Sequence, residues 1–347
     1  MLNRNMEEWV KSIRNSPKRL AIPIMTHPGI EIIRKRTIDA VKSHEVQYSA
    51  IIAIQKRFAP DAATMMMDLT LEAEAFGSDV DFHENEIPSL SGKLLEDSAA
   101  IEKLVVPSLN MARIRQQLSS LQNVTKTITD KPVFAVCIGP FSLAGRLFGL
   151  SEIMTSILIE PEAISVLVRK CSLFLAQYIL ETKKVGADGI IMAEPAAGLL
   201  SADLCDDFSS HYIREIVSQV QDGSFLFILH NCGNTGHVTR SMISTGAGGL
   251  HFGNKVDLLD VLSIVPSNVL VMGNLDPVGV FKSSTPDRVH ESTAQLLSAT
   301  ISKGNFIISS GCDLPPGTPA ENVAAFFKAV REFNAKHERR VIDAFRY

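Results

Sequence analysis

The sequence predicts an α/β protein whose strands and helices alternate to form a closed (β/α)8 TIM barrel. Short runs rich in β-branched and other apolar residues alternate with longer stretches that have helical spacing. Most of these stretches are long enough for a helix and its loops, as a crossover between parallel strands requires. Eight such runs fit a closed barrel better than an open sheet. An open doubly wound sheet is the alternative, because weak strands are difficult to count from one sequence.

The predicted strands are short and are distributed over the whole chain. The segment 77–130 holds more than one element, and its polar stretch at 81–91 predicts a hairpin or a lid. No repeat, low-complexity tract or linker divides the chain, so we expect one domain over residues 1–347. The eight predicted strands cover residues 21–25, 63–67, 133–138, 189–193, 225–229, 249–252, 269–272 and 306–309.

An amphipathic helix is predicted after the last strand. Its apolar positions follow the i, i+3, i+4, i+7 pattern of one helix face, and they are Val323, Phe326, Phe327 and Val330. The segment 318–321 has the sequence TPAE, which predicts a capping box with proline at the first helical position.

Composition indicates a soluble, enzyme-sized cytoplasmic protein. The 347 residues are 46% hydrophobic, and the net charge of −4 argues against a broad nucleic-acid surface, which needs a basic patch. The amino terminus is charged from its fourth residue and lacks the apolar core of a signal peptide. No apolar stretch approaches the ~20 residues that span a bilayer, so no membrane association is expected. Five scattered cysteines do not form a disulfide framework in a chain of this size.

Polar residues follow most of the predicted strands. In a barrel the active site lies at the carboxyl ends of the strands, so we expect these side chains to converge around one mouth. In chain order they are His27, Asp68, Gly139, Glu194, His230 with Cys232, Asn254, Asn274 with Asp276, and Cys312 with Asp313.

The pair His230 and Cys232, together with Cys312, is the most specific chemical feature of the sequence. Each cluster lies just past an apolar run and before a glycine-containing turn. One imidazole and two thiolates suit zinc, and three protein ligands leave a fourth position open, as in catalytic rather than structural sites. The alternative is that both cysteines are small buried apolar residues and that His230 is a hydrogen-bonded core histidine.

Several motifs resemble one known family over most of the chain. They are GPFSLAG at 139–145, GADG at 186–189, AEP at 193–195, HNCGN at 230–234, GNLDP at 273–277 and GCDLPPGTP at 311–319. These motifs resemble the uroporphyrinogen decarboxylase superfamily and, within it, the methylcobamide methyltransferases that serve coenzyme M and related acceptors. The GNLDP motif identifies only the superfamily. The His-x-Cys pair with the later cysteine is typical of the methyltransferase branch.

This resemblance implies a uroporphyrinogen decarboxylase-like TIM barrel that holds Zn²⁺ through His230, Cys232 and Cys312. It implies transfer of a methyl group from a methylated corrinoid (methylcobamide) to a thiol or similar small-molecule acceptor such as coenzyme M. Cobamide is large and is normally carried by a separate protein. The resemblance therefore also implies a corrinoid protein as a partner that docks at the barrel mouth.

Other residues of the predicted mouth have predicted roles in ligation, proton transfer or corrinoid binding. Glu194 is predicted to be a fourth ligand or the base that receives the thiol proton, and an ion-paired loop carboxylate is the alternative. Asp313 is predicted to hold the His230 imidazole in the ligating tautomer. His27, Gly139 and Asn274 are the candidate corrinoid-binding residues, although Asn274 also suits a loop-shaping role. His237 and His251 are interpreted as ordinary polar loop residues.

Decarboxylation is the principal alternative function. Asp68 resembles the decarboxylase aspartate that faces the pyrrole nitrogens, and it is the second candidate catalytic residue. However, decarboxylases carry an arginine-rich motif after the first strand, whereas residues 26–29 here read THPG and no arginine occurs before Arg34. Decarboxylases also have histidine in place of Cys312. A non-catalytic zinc- or corrinoid-binding module is the third possibility, and the acceptor is open between coenzyme M, homocysteine and tetrahydrofolate.

Overall fold

The computed structural model describes residues 4–344 and is organised around a curled parallel sheet. Its strands, in chain order, are β1 (Ala63–Thr64), β2 (Val80–Asp81), β3 (Ser89–Leu90), β4 (Val133–Ile138), β5 (Gly189–Ala193), β6 (Leu226–Asn231), β7 (Gly249–Phe252), β8 (Leu270–Leu275) and β9 (Phe306–Ser310). Seven of them form one sheet in the order β1-β4-β5-β6-β7-β8-β9, and every pair in it is parallel. The remaining two, β2 and β3, form a separate antiparallel pair.

Seven of the eight predicted runs contain a strand of this sheet. Strands β6 and β8 continue beyond their predicted ends, so His230, Asn231 and Asn274 lie within strands rather than after them. Every residue of β4, β5, β6, β7 and β9 is buried. Burial on both faces is why these strands are recognisable as nearly continuous apolar runs.

The run at 21–25 does not form a regular strand, so the structure shows a curled seven-stranded sheet rather than a complete eight-stranded one. Ala21 makes a single parallel bridge to Ile308, and the Ile22 amide donates to the Ile308 carbonyl at 3.0 Å. On its other side, the Asp61 amide donates to the Ala21 carbonyl at 3.1 Å. Pro23 has no amide proton and cannot continue a ladder, which explains why the pairing stops.

Helices connect the strands. They are α1 (Met6–Arg14), α2 (Thr26–Ile32), α3 (Thr37–Lys42), α4 (His44–Phe58), α5 (Leu71–Phe76), α6 (Ser98–Lys103), α7 (Ile114–Thr127), α8 (Pro140–Phe148), α9 (Leu150–Ile159), α10 (Pro161–Lys184), α11 (Ala202–Cys205), α12 (His211–Val220), α13 (Thr239–Ser244), α14 (Leu258–Ile264), α15 (Pro286–Ala299) and α16 (Ala320–Ala344). Two 3-10 turns cover Pro195–Leu199 and Gly236–Val238, and two π-helical segments cover Asp206–Ser210 and Pro277–Lys282.

Helix α10 is long and apolar enough to cross a membrane by length and composition, with a hydropathy of 1.5 over its most apolar window. This differs from the expectation that no apolar stretch approaches that length. In the structure 56% of the window is buried, and α10 packs against α6, α8, α9 and α12. The pair α8 and α9 passes the same test only if its two arms, bent by 105°, count as one span. Because the core helix of a soluble protein has the same properties, this is weak evidence for a membrane span.

Three local predictions have different outcomes. The polar stretch at 81–91 forms the β2–β3 hairpin, as predicted. The four apolar positions of the C-terminal helix are all buried in α16, which confirms its apolar face. The predicted capping box is wrong, because α16 begins at Ala320 and the Thr318 hydroxyl donates to the Pro315 carbonyl at 2.6 Å instead.

We expect the Asp61→Ala variant to loosen the edge of the sheet. The Asp61 carboxylate accepts the Ala21 amide at 2.7 Å, and its loss should lower the free energy of unfolding by about 1–3 kcal/mol. Amide hydrogen exchange at residues 20–24 should accelerate more than exchange in β4. The control is Asp130→Ala, because the Asp130 side chain is 75% exposed. Equal destabilisation by the two variants would contradict this role of Asp61.

Candidate functional site

One imidazole and two thiols meet at the carboxyl edge of the sheet. His230 is the penultimate residue of β6, Cys232 follows that strand directly, and Cys312 lies two residues past the end of β9. One ring nitrogen of His230 and the two sulfur atoms all lie within 4.8 Å of one another. His230 is buried, whereas both cysteines are half-buried. The structure therefore brings together the three predicted metal ligands.

The protonation of the His230 ring follows from a chain of hydrogen bonds. The Ser309 hydroxyl donates to the Ile22 carbonyl at 2.8 Å, so it can only accept from the His251 Nε2 atom, which is 2.9 Å away. Burial lowers the pKa of His251 well below its ordinary value, so His251 is neutral and its Nδ1 atom is an acceptor. His230 Nδ1, 2.8 Å from that atom, must then carry a proton. Nε2 is therefore the nitrogen through which a neutral His230 ring can bind a metal.

The free nitrogen of His230 is the atom that a metal would use. His230 Nε2 is buried and has no hydrogen-bond partner among residues 4–344. Buried polar atoms in proteins are nearly always satisfied, so an unpartnered imidazole nitrogen beside two thiols fits a missing ligand. Nitrogen and sulfur donors in this ratio suit zinc. The donor set and the unsatisfied atom therefore both fit a zinc ion.

His251 occupies the place that was predicted for Asp313. The Asp313 carboxylate accepts the Thr26 amide at 2.7 Å, and the His230 ring is held by His251 instead. His251 is also not a loop residue, because it lies in β7 and is completely buried. In the sequence it is a single histidine within an apolar run. Its partners are 21 and 58 residues away, so no local pattern identifies its role.

The two thiols of the group influence each other. The hydrogen bond from Cys312 lowers the pKa of the Cys232 thiol. The same contact raises the pKa of Cys312, and burial adds to that increase. One thiolate is thus stabilised beside one thiol, which leaves a negative charge where a cation would bind.

Two glycines allow the loops that carry the cysteines to meet. A Cβ atom on Gly253 would lie 2.4 Å from the Cys232 carbonyl oxygen, and one on Gly311 would lie 2.6 Å from the Asn254 amide nitrogen. The Asn274 side chain donates to the carbonyls of Gly253 and Val256 at 3.1 and 2.8 Å. Asn274 therefore braces the loop between the two cysteines, which agrees with its loop-shaping alternative.

Glu194 follows β5 directly but does not join the group of His230, Cys232 and Cys312, which is called the metal group below. Its Oε1 atom accepts the Phe141 amide and the Ser209 hydroxyl, both at 2.9 Å, and its Oε2 atom accepts the Ser142 amide at 2.9 Å. Burial raises the pKa of this carboxyl, while these hydrogen bonds act in the opposite direction. Both oxygens are thus used to hold the amino end of α8. This geometry does not support Glu194 as a fourth ligand or a base.

Gly139 makes room for that carboxylate. A Cβ atom on Gly139 would lie 2.2 Å from Glu194 Oε2, so any side chain there would displace the carboxyl group. Asn231 fixes the opposite side of Glu194, because its side-chain amide donates to the Glu194 carbonyl at 2.6 Å. These contacts give Gly139 a structural role; its predicted role in corrinoid binding stays a prediction.

Asp68 lies in a buried charge network that the sequence did not indicate. Arg113, from the loop before α7, contacts Asp68 Oδ2 and Glu74 Oε2, each at 2.5 Å. The Asp68 Oδ1 atom also accepts the Thr70 amide and hydroxyl. One guanidinium is therefore shared by two carboxylates. Arg113 lies 45 residues after Asp68, and no motif connects the two positions.

Glu72, beside this network, is a second group that sequence patterns did not indicate. Its Oε1 atom accepts the Ile138 amide at 3.1 Å, while its Oε2 atom is buried without a partner among the described residues. Burial raises the pKa of Glu72 to about 7, and the negative charge of Asp68 adds to this rise.

His27 lies in a segment that contacts the loop of Cys312. It is buried at the start of α2, and its Nδ1 atom is 3.3 Å from the Thr37 hydroxyl. The preceding residue, Thr26, donates its amide to Asp313, which is next to Cys312. His27 is thus connected to the loop of Cys312 through one hydrogen bond; its role in corrinoid binding stays a prediction.

Fold and site together define an α/β parallel-sheet protein with an imidazole–dithiol group at the carboxyl edge of its sheet. The family model of uroporphyrinogen decarboxylase (URO-D) matches residues 19–333. The chain belongs to the uroporphyrinogen decarboxylase family. The resemblance inferred from the sequence motifs is thereby confirmed.

The similar proteins include relatives named as methyltransferases and relatives named as decarboxylases. The chain is 27% identical over 277 residues to the methylcobamide:CoM methyltransferase MtbA of Methanosarcina acetivorans, a match covering 79% of this chain and 80% of that protein. It is 25% identical over 358 aligned positions to the uroporphyrinogen decarboxylase of Legionella pneumophila strain Corby, covering 97% and 99%. A solved methyltransferase from Methanosarcina mazei shares the fold, with a TM-score of 0.85 at 20% identity over 95% of this chain and 98% of that one.

We expect His251→Phe to weaken metal binding. This variant removes the acceptor that holds the Nδ1 proton of His230, and such supporting contacts are typically worth about 10- to 100-fold in metal affinity. Competition with a chromophoric zinc chelator measures the change. The control is His237→Phe, because His237 bonds to the Leu200 carbonyl and lies outside the group. An affinity equal to that of the unmodified protein would show that His251 does not orient His230.

We expect Glu72→Gln to change how stability depends on pH. The folded-state pKa of Glu72 is about 7, above its ordinary value of 4.5, so ionisation opposes folding. The stability linked to its protonated form is complete below pH 4.5 and is lost as pH rises towards 7, by on the order of 3 kcal/mol. The glutamine variant should therefore be more stable than the unmodified protein between pH 5 and pH 8, by an amount that increases with pH. Urea unfolding at each pH measures the free energy of unfolding of both proteins. A difference in stability that does not vary with pH would refute the raised pKa.

Proposed function

We propose that this protein is a zinc-dependent methyltransferase that moves a methyl group from a methylated corrinoid to a thiol acceptor. The observation that carries the proposal is the buried Nε2 atom of His230, which has no partner among the described residues, in a group with the sulfurs of Cys232 and Cys312. The methylcobamide:CoM methyltransferase relative supports the reaction class. Coenzyme M is the acceptor named for that relative, and a thiol of this kind is the acceptor proposed here.

His230, Cys232 and Cys312 would hold the zinc ion. When bound, zinc lowers the pKa of an acceptor thiol so that it is a thiolate at neutral pH, where a free thiol is mostly protonated. His251 would keep the Nε2 atom of His230 unprotonated, and the loop braced by Asn274 would hold the two cysteines together. The protein thereby provides a fixed, partly buried position for the acceptor.

The reaction itself takes place between the two substrates. The acceptor sulfur forms a bond to the methyl carbon as the bond between carbon and cobalt breaks. Both electrons of that bond leave with the corrinoid as cobalt(I), and the proton of the thiol is released. A corrinoid is large, so we propose that a separate corrinoid protein presents it to the carboxyl edge of the sheet.

Decarboxylation of a tetrapyrrole is the second candidate, favoured by the Legionella relative and by Asp68. Its substrate carries several carboxylates and requires several free cations. In the structure Arg113 is already shared by Asp68 and Glu74, and Asp68 is ion-paired rather than free. These contacts favour methyl transfer. The third possibility, a non-catalytic zinc- or corrinoid-binding module, requires that the protein turns over no acceptor.

Three wider proposals accompany this function. We propose that the whole chain is one domain, supported by a main hydrophobic cluster that runs from Met6 to Phe333. We propose that the sheet is a (β/α)8 barrel closed through residues 20–24, supported by the contacts of Ala21 to β9 and to Asp61. We propose that the protein works in the cytoplasm, supported by five cysteines of which none is paired in a disulfide within the described chain.

The protein purified without chelator is expected to contain about one zinc ion per chain and to demethylate methylcobalamin when a thiol acceptor is added. Cys232→Ala and Cys312→Ala should each lose most of the metal and of the activity, whereas Cys205→Ala, at a buried cysteine outside the group, should retain both. Metal analysis and the colour change of the corrinoid measure the two properties.

Decarboxylation gives the opposite pattern. Porphyrinogen turnover that persists after zinc removal and is abolished by Asp68→Asn would overturn the methyltransferase proposal. Turnover of no acceptor by the zinc-loaded protein would favour the non-catalytic module.

A further inference from the structure

A cavity of about 460 Å³ lies against α8 and the turn after β5, and its wall contains one guanidinium without a partner among the described residues. The cavity lies between α8, the corner from α8 to α9, the turn after β5 and the loop after the β2–β3 hairpin. Arg146, on the second turn of α8, is half-buried in its wall. Its guanidinium has no hydrogen bond or ion pair to any residue between 4 and 344. The rest of the lining is mainly apolar or glycine, including Leu90, Leu150 and Leu199.

The acidic groups nearest to Arg146 are engaged elsewhere or lack contact with it. Asp68 is ion-paired with Arg113, and Glu72 accepts the Ile138 amide. Burial lowers the pKa of the Arg146 guanidinium, and the charges of Glu72 and Asp68 act in the opposite direction from a distance, since neither carboxylate lies within ion-pair distance of it. A cation in an apolar wall loses hydration unless a partner anion supplies hydrogen bonds. Arg146 thus has five donors available to a ligand in the cavity.

The cavity and the metal group share a wall. Pro195, Ala196 and Leu199 line the cavity within the turn that follows β5. In the same turn, a Cβ atom on Gly198 would lie 3.3 Å from Asn231 Oδ1, and Asn231 is the residue between His230 and Cys232. Arg146 lies on the helix that follows β4, and only β5 separates β4 from β6 in the sheet. The turn after β5 thus borders the cavity on one side and Asn231 on the other.

We propose that this cavity binds the anionic end of the methyl acceptor, with Arg146 donating paired hydrogen bonds to a sulfonate, carboxylate or phosphate group. This inference rests on the proposed function, since it assigns the other end of the same acceptor. The single unpaired guanidinium matches one anionic group. The apolar lining matches the carbon chain between that group and the thiol. Arg146 is then a specificity-determining residue that selects anionic thiols over neutral ones.

The first experiment compares thiols of different charge and length. The demethylation of methylcobalamin is followed with 2-mercaptoethanesulfonate, 3-mercaptopropanesulfonate and neutral 2-mercaptoethanol, for the unmodified protein and for Arg146→Gln. The ratio of kcat/KM for the better sulfonate to that for 2-mercaptoethanol should fall by about 10- to 100-fold in the variant. Arg146→Lys should retain part of the ratio, because it keeps the charge but loses the paired geometry. Arg115→Gln, at an exposed position of α7, is the control. An unchanged ratio in Arg146→Gln overturns the proposal.

The second experiment does not require methyl transfer. Propanesulfonate, which has no thiol, should bind to the unmodified protein in calorimetry and should bind at least about 10-fold more weakly to Arg146→Gln. Binding that depends on Arg146, in a protein that turns over no thiol, would refute the proposed function but preserve the anion site. Absence of propanesulfonate binding to the unmodified protein overturns the anion site.

The third experiment excludes the phosphate of the corrinoid as the anion. Methylcobinamide lacks the nucleotide phosphate of methylcobalamin, and the effect of Arg146→Gln should be the same with both. An effect on KM for the corrinoid that occurs with methylcobalamin and disappears with methylcobinamide would assign Arg146 to the corrinoid and overturn its assignment to the acceptor.

Discussion

The site depends on one directional chain of hydrogen bonds, which runs from His230 through His251 and Ser309 to the Ile22 carbonyl. A carbonyl oxygen can only accept, so the direction of every bond in the chain follows from its last member. The chain joins β6, β7 and β9 to the segment at residues 20–24. The nitrogen of His230 that remains for a ligand is thus specified by a chain that ends at a backbone carbonyl beside β9, and loss of the His251 or Ser309 side chain breaks this chain.

The remainder of the mouth is arranged so that few polar groups are left free. Glu194 and Asn231 lock β5, β6 and the amino end of α8 together, and Asn274 ties β8 to the loop that separates the cysteines. Because these side chains are used internally, they confer rigidity rather than reactivity. Three groups that have no partner among the described residues then become informative: the Nε2 atom of His230, the Oε2 atom of Glu72 and the guanidinium of Arg146. Catalytic geometry benefits from this rigidity, since small displacements of reacting groups are costly in rate.

The sequence predicted the order of the strands and the meeting of His230, Cys232 and Cys312, because both are recorded locally as apolar runs and as short motifs after them. It did not predict that β6 would continue through His230, or that Pro23 would stop the pairing of the first run. The sequence also could not identify residues whose role depends on partners far away in the chain. His251 is an isolated histidine in an apolar strand, Arg113 meets Asp68 only through tertiary packing, and the predicted reactivity of Glu194 gives way to hydrogen bonds that no spacing encodes.

The contact between Ser309 and Ile22 joins positions that are 287 residues apart in the chain. During vectorial synthesis the amino-terminal segment leaves the ribosome long before its acceptor strand exists. At ~5–20 residues per second this interval is roughly 15–60 s. Within it, Cys232 is made 80 residues before Cys312, about 4–16 s earlier at the same rate, and the imidazole beside it has no fixed tautomer. Capture of the proposed metal is therefore expected to follow the synthesis of the last strand, at a finished site rather than a nascent one.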